Sequence, residues 1–297
     1  MVGCKPNYMY KSHLYRLKWS NLFDSVRANL FTDNILLYWS HSKGGTFNFG
    51  DILNPYLVEA LTGQKCINLK DIYLIKNRRK FTCIGSVLDQ NIRFGGFEVW
   101  GSGFIRKPDN LPYTPSVVHA VRGPLSRDVY ESFNIDCPPV YGDPAILLPR
   151  LYNPDIAIKH KVGIVPHYTE LEHPSLKTFL NNNEDVKLIS VLNGVEAFVD
   201  DILSCERILS SSLHGLIASD AYNIPNKHVV IGDKLHGGRF KFVDYYSSVN
   251  NRDYTAISLT DAIRTENIRF ESMFDKVSEL ATGLLASCPL PVLPVFK

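Results

Sequence analysis

A strand followed by a serine turn and a helix, at residues 207–225, constrains this chain most. Ile208-Leu209 ends a short apolar run typical of a buried parallel strand. Ser210–Ser212 follow, and apolar residues then recur at about helical spacing, at Leu213, Ile217 and Tyr222. Asn223-Ile224-Pro225 ends the pattern, because proline cannot continue a helix. The segment predicts a strand–turn–helix unit with His214 in the first helical turn.

The N-terminus of this helix favours the binding of an anion. Ser211 and Ser212 can accept hydrogen bonds from free backbone N–H groups there, and the partial positive charge suits a phosphate or carboxylate. His214 could transfer a proton beside that anion. A capped core helix with a structural histidine explains the pattern equally well.

The same alternation of strands and helices runs along the whole chain and restarts after Asn153-Pro154. It predicts an α/β protein with two Rossmann-like domains at residues 1–155 and 156–264 that face a central cleft. We expect a turn at Thr46–Asn54 that leads into a helix, and a long helix over residues 257–286. The segment 265–297 is expected to pack back on the first domain. Ligands of open parallel sheets bind beyond the carboxyl ends of the strands, so the loops should converge on the cleft.

Composition and missing motifs exclude several classes of function. Lys plus Arg number 32 against 30 acidic residues, which does not indicate nucleic-acid binding. Gly101-Ser102-Gly103 is followed by Phe104-Ile105-Arg106 rather than by a dinucleotide fingerprint, and the sequence has no Walker A loop. The six cysteines form no C-x-x-C pair and no zinc-ligand spacing, so we expect reduced thiols, no metal and a cytoplasmic protein.

The N-terminal residues 7–31 mix aromatic and basic side chains. A helix packed on its own domain explains them, and a peripheral contact with a membrane surface is the alternative. No apolar run reaches the roughly 20 residues of a membrane span.

Two basic residues are candidates for anion binding. Arg122 lies between a predicted strand and helix, where a guanidinium can hold a phosphate or carboxylate; this placement favours anion binding over the alternative, a surface ion pair. Lys241 could add positive charge near the anion, or be an ordinary solvated lysine.

Polar residues at other strand ends are candidates for the remaining chemistry. Asp51 is a candidate general base or sugar ligand, with helix capping as the alternative. Asn48 and Asn54 flank it and could bind hydroxyl groups. Asp143 could bind a ligand or simply form a turn, and His167 follows the first strand of the second domain.

Eight stretches together resemble the polysaccharide pyruvyl transferase family, in the family's order. They are NFGDILNPYL at 48–57, GSVL at 85–88, VWGSGF at 99–104, AVRGPLSR at 120–127, YGDPAILLP at 141–149, VPHY at 165–168, SSSLHGLIASDAYNIP at 210–225 and FKFVDYYSS at 240–248. The bacterial capsule and exopolysaccharide subgroup is the most similar.

The resemblance implies a glycosyltransferase-B-like fold, phosphoenolpyruvate as donor and a sugar diol such as galactose, free or lipid-linked, as acceptor. It implies a cyclic pyruvate ketal and free phosphate as products, and neither metal nor cofactor. His214 would then be the acid that protonates C3 of the donor, with Asp51, or alternatively His167, as base. Some family members carry an arginine where this chain has Ser212. Donor binding would therefore rely on the serine turn, Arg122 and Lys241.

Two other functions fit the sequence. A nucleotide-sugar glycosyltransferase would share the architecture and the basic cleft, since fold alone does not determine function. A glycan-binding protein that has lost its activity would explain Ser212, but the presence of His214, Arg122 and Asp51 argues against it.

Overall fold

Two parallel five-stranded sheets form the framework of the protein. The computed structural model describes residues 25–26, 28–30, 33–40, 48–73, 75, 77–90, 94–232, 238–249, 254–259, 262 and 273–296. The first sheet has the order β2-β1-β3-β4-β5, with strands Ile35–Tyr38 (β1), Cys66–Asn68 (β2), Phe81–Thr82 (β3), Glu98–Trp100 (β4) and Val117–Ala120 (β5). The second has the order β10-β9-β8-β6-β7, with strands Val162–Val165 (β6), Val186–Leu188 (β7), Ile208–Ser210 (β8), Asn226–Val230 (β9) and Ile257–Ser258 (β10).

Helices connect most of the strands, as parallel pairing requires. The described α-helices are Phe49–Thr62 (α1), Pro124–Ser132 (α2), Pro174–Asn181 (α3), Val195–Leu203 (α4), Leu213–Ala221 (α5), Phe240–Ser248 (α6) and Phe274–Ala286 (α7). Short 3₁₀ helices lie at Leu69–Asp71, Pro144–Arg150, Tyr168–Glu170 and Pro294–Phe296. The predicted α/β class with two parallel sheets is confirmed.

Two predicted elements are wrong in their bounds. The helix expected over 257–286 is wrong at its start, because Ile257–Ser258 pairs with β9 as an edge strand, and its C-terminal part is the helix Phe274–Ala286. Helix α1 begins at Phe49, so Gly50 and Asp51 lie in its first turn rather than in a preceding loop. The basic aromatic segment 7–31 lies largely outside the described residues.

The two sheets share one hydrophobic core. We call the described part of residues 33–150 the first lobe and that of residues 162–258 the second lobe. One cluster of buried side chains includes residues of both, and Phe49 of α1 stacks on Phe198 of α4 with ring centroids 4.0 Å apart. Aromatic pairs of this kind contribute about 0.5–1.5 kcal/mol beyond the area they bury. The lobes are therefore held together by packing as well as by polar contacts.

The C-terminal helix α7 packs against α5 and the 3₁₀ helix Pro144–Arg150. Its carbonyl at Leu284 accepts a hydrogen bond of 2.9 Å from the indole N–H of Trp100, in β4. Leu293 donates its backbone N–H to Leu61 of α1. This segment thus contacts both lobes, while the domain boundaries at 155 and 264 stay a prediction. In the part of the chain that the structure describes, no helix is long and apolar enough to cross a membrane.

Helix α5 is buried almost all round, which explains its small residues. A methyl group added at Gly215 would overlap the hydroxyl of Ser210 and the side chain of Val165. The Ser219 hydroxyl is buried and donates to the carbonyl of Gly215 at 2.7 Å. Close approach to β6 and β8 therefore fixes where the first turn of α5, with His214, lies.

We predict that His228 makes the protein less stable in acid. Its ring is 1% exposed and stacks on Phe242 at 4.0 Å. Burial, with the nearby charges of Lys241, Lys227 and Arg239, lowers the pKa of His228 to about 3. An unfolded histidine titrates near pH 6.5, so between about pH 6.5 and 3 the unfolded state binds a proton that the folded state does not. As the pH is lowered through this window, the free energy of unfolding should decrease, and His228 should contribute up to about 1.4 kcal/mol per pH unit to this decrease.

Denaturant unfolding at pH 7 and at pH 4.5 measures this contribution. His228→Phe keeps the aromatic stack and removes the titration, so the variant should lose less stability between the two pH values than the wild type. Equal losses in the two proteins would show that His228 does not carry the effect.

Candidate active site

A pocket of about 260 Å³ lies between the lobes at the carboxyl ends of the strands. The first lobe contributes loops that follow β1 and β3 and the start of α1, and the second lobe contributes loops that follow β6, β7 and β8 and the start of α6. The lining residues are Ser40, Asn48, Gly50, Asp51, Ile84, Gly85, Ser86, Val87, Gln90, Ile105, His167, Tyr168, Val191, Leu192, Ser212, Leu213, His214 and Lys241.

His214 belongs to the second lobe but is enclosed by the first. Its Nε2 lies 3.7 Å from a carboxylate oxygen of Asp143, and its side chain is 17% exposed. Nε2 is buried and makes no hydrogen bond. A methyl group added at Gly50 would overlap the imidazole, so only glycine fits there. The ring is thus fixed in the pocket wall, with Nε2 directed toward the buried carboxylate of Asp143.

Asp143 lies behind His214 and does not line the pocket. It is fully buried, and its two oxygens accept backbone N–H groups of Ala145 at 3.0 Å and Gly85 at 3.2 Å. Asp143 therefore caps the 3₁₀ helix Pro144–Arg150 and gives His214 an anionic neighbour. An imidazolium beside that carboxylate gains Coulomb energy, whereas acceptor binding by Asp143 finds no support in this geometry.

Lys241 is a buried cation on the pocket wall, not a solvated lysine. It is only 6% exposed, and no described residue accepts a hydrogen bond or forms an ion pair with its ammonium group. Burial, with a smaller contribution from the Arg122 charge, lowers the pKa of Lys241 to about 8; Glu170 acts in the opposite sense. The ammonium lies 5.1 Å from the centroid of the Phe242 ring, but no described carboxylate pairs with it. A buried charge without an opposite charge is costly, so the site suits an anionic ligand.

The serine turn is organised by hydrogen bonds to its neighbours. The Ser210 hydroxyl donates to the carbonyl of Ser212 at 2.8 Å, and the Ser211 hydroxyl bonds the carboxylate of Glu170. Ser211 also accepts the backbone N–H of His167 at 2.9 Å, and it does not line the pocket. Ser212 lines the pocket as the N-cap of α5, and its side chain makes no capping hydrogen bond.

His167 is fixed at the pocket edge by local contacts. It caps the 3₁₀ helix Tyr168–Glu170, with Nδ1 2.7 Å from the Thr169 hydroxyl. Its ring contacts that of Tyr168, centroid to centroid, at 4.5 Å.

A polar wall on the first lobe faces the serine turn. Asn48 caps α1, and its amide donates to the carboxylate of Asp51 at 2.6 Å. Gln90 accepts a hydrogen bond of 2.7 Å from the hydroxyl of Tyr38. Burial, followed by the charge of Asp51, raises the pKa of Tyr38 to about 12, so this phenol stays a donor. The amide N–H groups of Gln90 can therefore serve a ligand.

Asn54 and Arg122 lie behind the pocket. Asn54 is 1% exposed and binds the backbone of Ile84 through both its oxygen, at 3.0 Å, and its nitrogen, at 3.3 Å. Arg122 is fully buried, and Gly103 leaves room for its guanidinium. It bonds Asp244, Ser86 and the Phe104 carbonyl. The geometry supports neither as a direct ligand of a substrate in the pocket.

The structure thus brings six predicted residues to the pocket: His214, Asp51, Ser212, Lys241, His167 and Asn48. It adds groups that the sequence did not single out, namely Gln90 in the wall and Glu170 and Asp244 behind it. Gln90 and Glu170 lie outside the eight family-like stretches, and Asp244 lies within FKFVDYYSS at 240–248 without any sign of its role, because each acts through a partner distant in sequence.

Comparison with protein families finds one that matches part of this chain. The polysaccharide pyruvyl transferase model matches residues 113–229. Residues 113–229 belong to the polysaccharide pyruvyl transferase family. The matched segment contains Arg122, Asp143, His167, the serine turn and His214, and leaves out Lys241 and the polar wall.

A second comparison extends beyond this segment. The uncharacterized protein L143 of Acanthamoeba polyphaga mimivirus is 26% identical to this chain over 209 residues, which are 67% of this chain and 70% of that protein. No solved structure matches the chain. Within the described residues, no group of three or more His, Cys, Asp or Glu side chains is arranged to hold a metal ion.

We predict that the pocket binds inorganic phosphate and that Lys241 makes this binding pH-dependent. The ammonium loses its proton as the pH rises through about 8, so affinity should decline above that pH in the free protein. Lys241→Met should weaken binding at pH 7 by about tenfold or more and remove this decline, since hydrogen bonds to charged groups contribute about 1.5–3 kcal/mol. Isothermal titration calorimetry from pH 6.5 to 9.5 would measure it.

Lys177→Met is the matched control, because Lys177 is exposed and pairs with Glu172 away from the pocket. It should bind phosphate as the wild type does. The assignment would fail if Lys241→Met kept wild-type affinity.

Proposed function

We propose that this protein transfers the pyruvyl group of phosphoenolpyruvate to a sugar diol and forms a cyclic ketal. The family match supports pyruvyl transfer, and the pocket suits the donor. The observation that carries the proposal is that one pocket is lined both by the ammonium of Lys241, which has no acidic partner among the described residues, and by the imidazole of His214, which lies beside a carboxylate. Phosphoenolpyruvate needs both, because its phosphate and carboxylate require cations and its C3 requires a proton.

The donor would lie against the second lobe. Lys241 would bind the phosphate, and Ser212 together with the backbone N–H groups at the start of α5 would bind the remaining anionic oxygens. Ser212 replaces an arginine of some relatives, so Lys241 would provide the positive charge from a different helix. His167, at the same edge, is a candidate for contact with the donor carboxylate.

The reaction begins with proton transfer from the His214 imidazolium to C3 of the donor. C2 then carries positive charge, and a sugar hydroxyl attacks it. Phosphate leaves from C2, and the second hydroxyl forms the second C–O bond that closes the ketal. The two hydroxyl protons are released, one returning to His214 and one to a base or to the phosphate, so that the products are ketal and inorganic phosphate. A positioned acid typically contributes about 10²–10⁴-fold.

The acceptor would bind the polar wall of the first lobe. Asp51 is the preferred base, and the amide of Asn48 keeps its carboxylate oriented. Gln90, held by Tyr38, would bind an acceptor hydroxyl. A sugar diol needs this combination of donors and acceptors, because its two reacting hydroxyl groups must be positioned and one deprotonated.

The proposal extends to the fold type and to the cellular role of the protein. Two Rossmann-like lobes around a substrate cleft would give the glycosyltransferase-B-like arrangement. A role in bacterial capsule or exopolysaccharide assembly, with a lipid-linked acceptor met at the membrane surface through the N-terminal basic segment, follows from the same resemblance.

One incubation tests the function. The protein is mixed with phosphoenolpyruvate and a panel of galactosides, and products are measured by mass spectrometry and phosphate assay. We expect an acceptor heavier by one pyruvate less one water, with an equal amount of phosphate released. Transfer of a labelled sugar from a nucleotide sugar in parallel reactions, without phosphoenolpyruvate turnover, would instead identify a glycosyltransferase.

We predict that His214→Asn lowers phosphate release from phosphoenolpyruvate by at least about 10²-fold, because an amide cannot supply the proton. Circular dichroism and donor affinity should stay close to those of the wild type. Gly50→Ala should reproduce the loss, since its methyl group would displace the His214 ring. His160→Asn, away from the pocket, is the control. Normal turnover by His214→Asn would exclude this residue as the acid.

We predict that Asp143→Asn lowers kcat much more than it raises KM for the donor. The amide cannot stabilise an imidazolium at 3.7 Å as a carboxylate does. We expect a loss of about 10-fold to 10³-fold in kcat, smaller than that of the acid itself. A change confined to KM for the acceptor would instead return Asp143 to an acceptor-binding role.

A further inference from the structure

Helix α6 of the second lobe is fastened to the first lobe through the buried carboxylate of Asp244. One oxygen accepts the backbone N–H of Ser126 at 2.8 Å. The other accepts the Ser126 hydroxyl at 2.7 Å and the Arg122 Nε at 3.0 Å, and lies 2.9 Å from Nη2. Both Asp244 and Arg122 are completely buried.

The backbones of the two lobes also meet at this point. A methyl group added at Gly123 would overlap the carbonyl oxygen of Asp244, so α2 and α6 approach as closely as glycine permits. Lys241 lies three residues before Asp244, about one turn away on the same helix. Whatever fixes Asp244 against the first lobe therefore fixes the position of Lys241 as well.

The far side of the Arg122 guanidinium reaches the opposite wall of the pocket. Nη1 donates to the Ser86 hydroxyl at 2.6 Å, and Nη2 donates to the Phe104 carbonyl at 2.6 Å. Ser86 lines the pocket in the loop after β3. Arg122 thus bridges a first-lobe wall residue and the helix that carries the second-lobe cation.

We propose that Arg122 and Asp244 form an interlobe latch that holds Lys241 and Ser86 at fixed positions on opposite walls of the anion pocket. Arg122 is then a positioning residue, and Asp244, to which the sequence analysis gave no role, is its partner. The identity of the anion rests on the proposed function, whereas the latch itself does not.

The latch has an electrostatic consequence. Burial lowers the pKa of Lys241 most, and the Arg122 charge lowers it further, so the latch contributes to the pH at which the pocket loses its cation. A planar guanidinium can bridge Asp244, Ser86 and Phe104 together, which an ammonium cannot do. Arg122→Lys should keep the charge and lose the bridge, while Arg122→Met combined with Asp244→Leu removes both charges without leaving one buried alone.

Two measurements test the latch in these variants. Inorganic phosphate affinity is measured by calorimetry. The titration of Lys241 is measured by acylating the protein at several pH values and quantifying each labelled lysine by mass spectrometry, with exposed Lys177 as the internal reference. Glu131→Gln is the matched control, because it breaks the exposed Arg127–Glu131 pair on the same helix α2.

We expect phosphate affinity to decrease by about tenfold or more in Arg122→Lys and in the double variant, since a small displacement of Lys241 is enough to weaken its contact with the anion. The Lys241 midpoint should rise in the double variant toward the ordinary lysine value, because the Arg122 charge that lowers it is removed. Glu131→Gln should change neither. An unchanged Lys241 midpoint together with unchanged phosphate affinity would overturn the latch. Absence of phosphate binding in the wild type would count against the proposed function, and the labelling would still decide the latch.

Discussion

The contact between the His214 imidazole and the first lobe is the interaction on which the site depends. His214 begins a helix of the second lobe, yet Asp143, Gly50 and Gly85 of the first lobe surround its ring. Neither lobe alone would supply both the proton carrier and its anionic neighbour. The shared core, with Phe49 stacked on Phe198, holds the two lobes in this arrangement.

The charged side chains buried near the lobe interface are of two kinds, those paired with an opposite charge and one that is not. Arg122 and Asp244 satisfy each other and serve the architecture, whereas Lys241 has no described acidic partner and faces the pocket. Burying an unpaired cation opposes folding, and a bound anion would remove this cost. Stability and ligand affinity are therefore linked at Lys241, because an anion that binds only the folded protein also stabilises it.

Local patterns were sufficient to predict the alternating elements and the strand–turn–helix around His214, because apolar periodicity and turn residues are properties of short segments. They also indicated which loops converge, since parallel strands end at one edge. They could not distinguish Asp51, which lines the pocket, from Asn54, whose amide is used by the backbone of Ile84. That distinction, like the burial of Lys241 and the pairing of Arg122 with Asp244, depends on packing between segments that are far apart in sequence.

The most direct measurement is the crystal structure of the protein in complex with phosphoenolpyruvate. The account predicts the phosphate within hydrogen-bond distance of the Lys241 ammonium and C3 of the donor beside the His214 ring, with Asp143 behind it. A donor bound elsewhere, or bound in the pocket with its phosphate against the first-lobe wall and C3 away from His214, would contradict it.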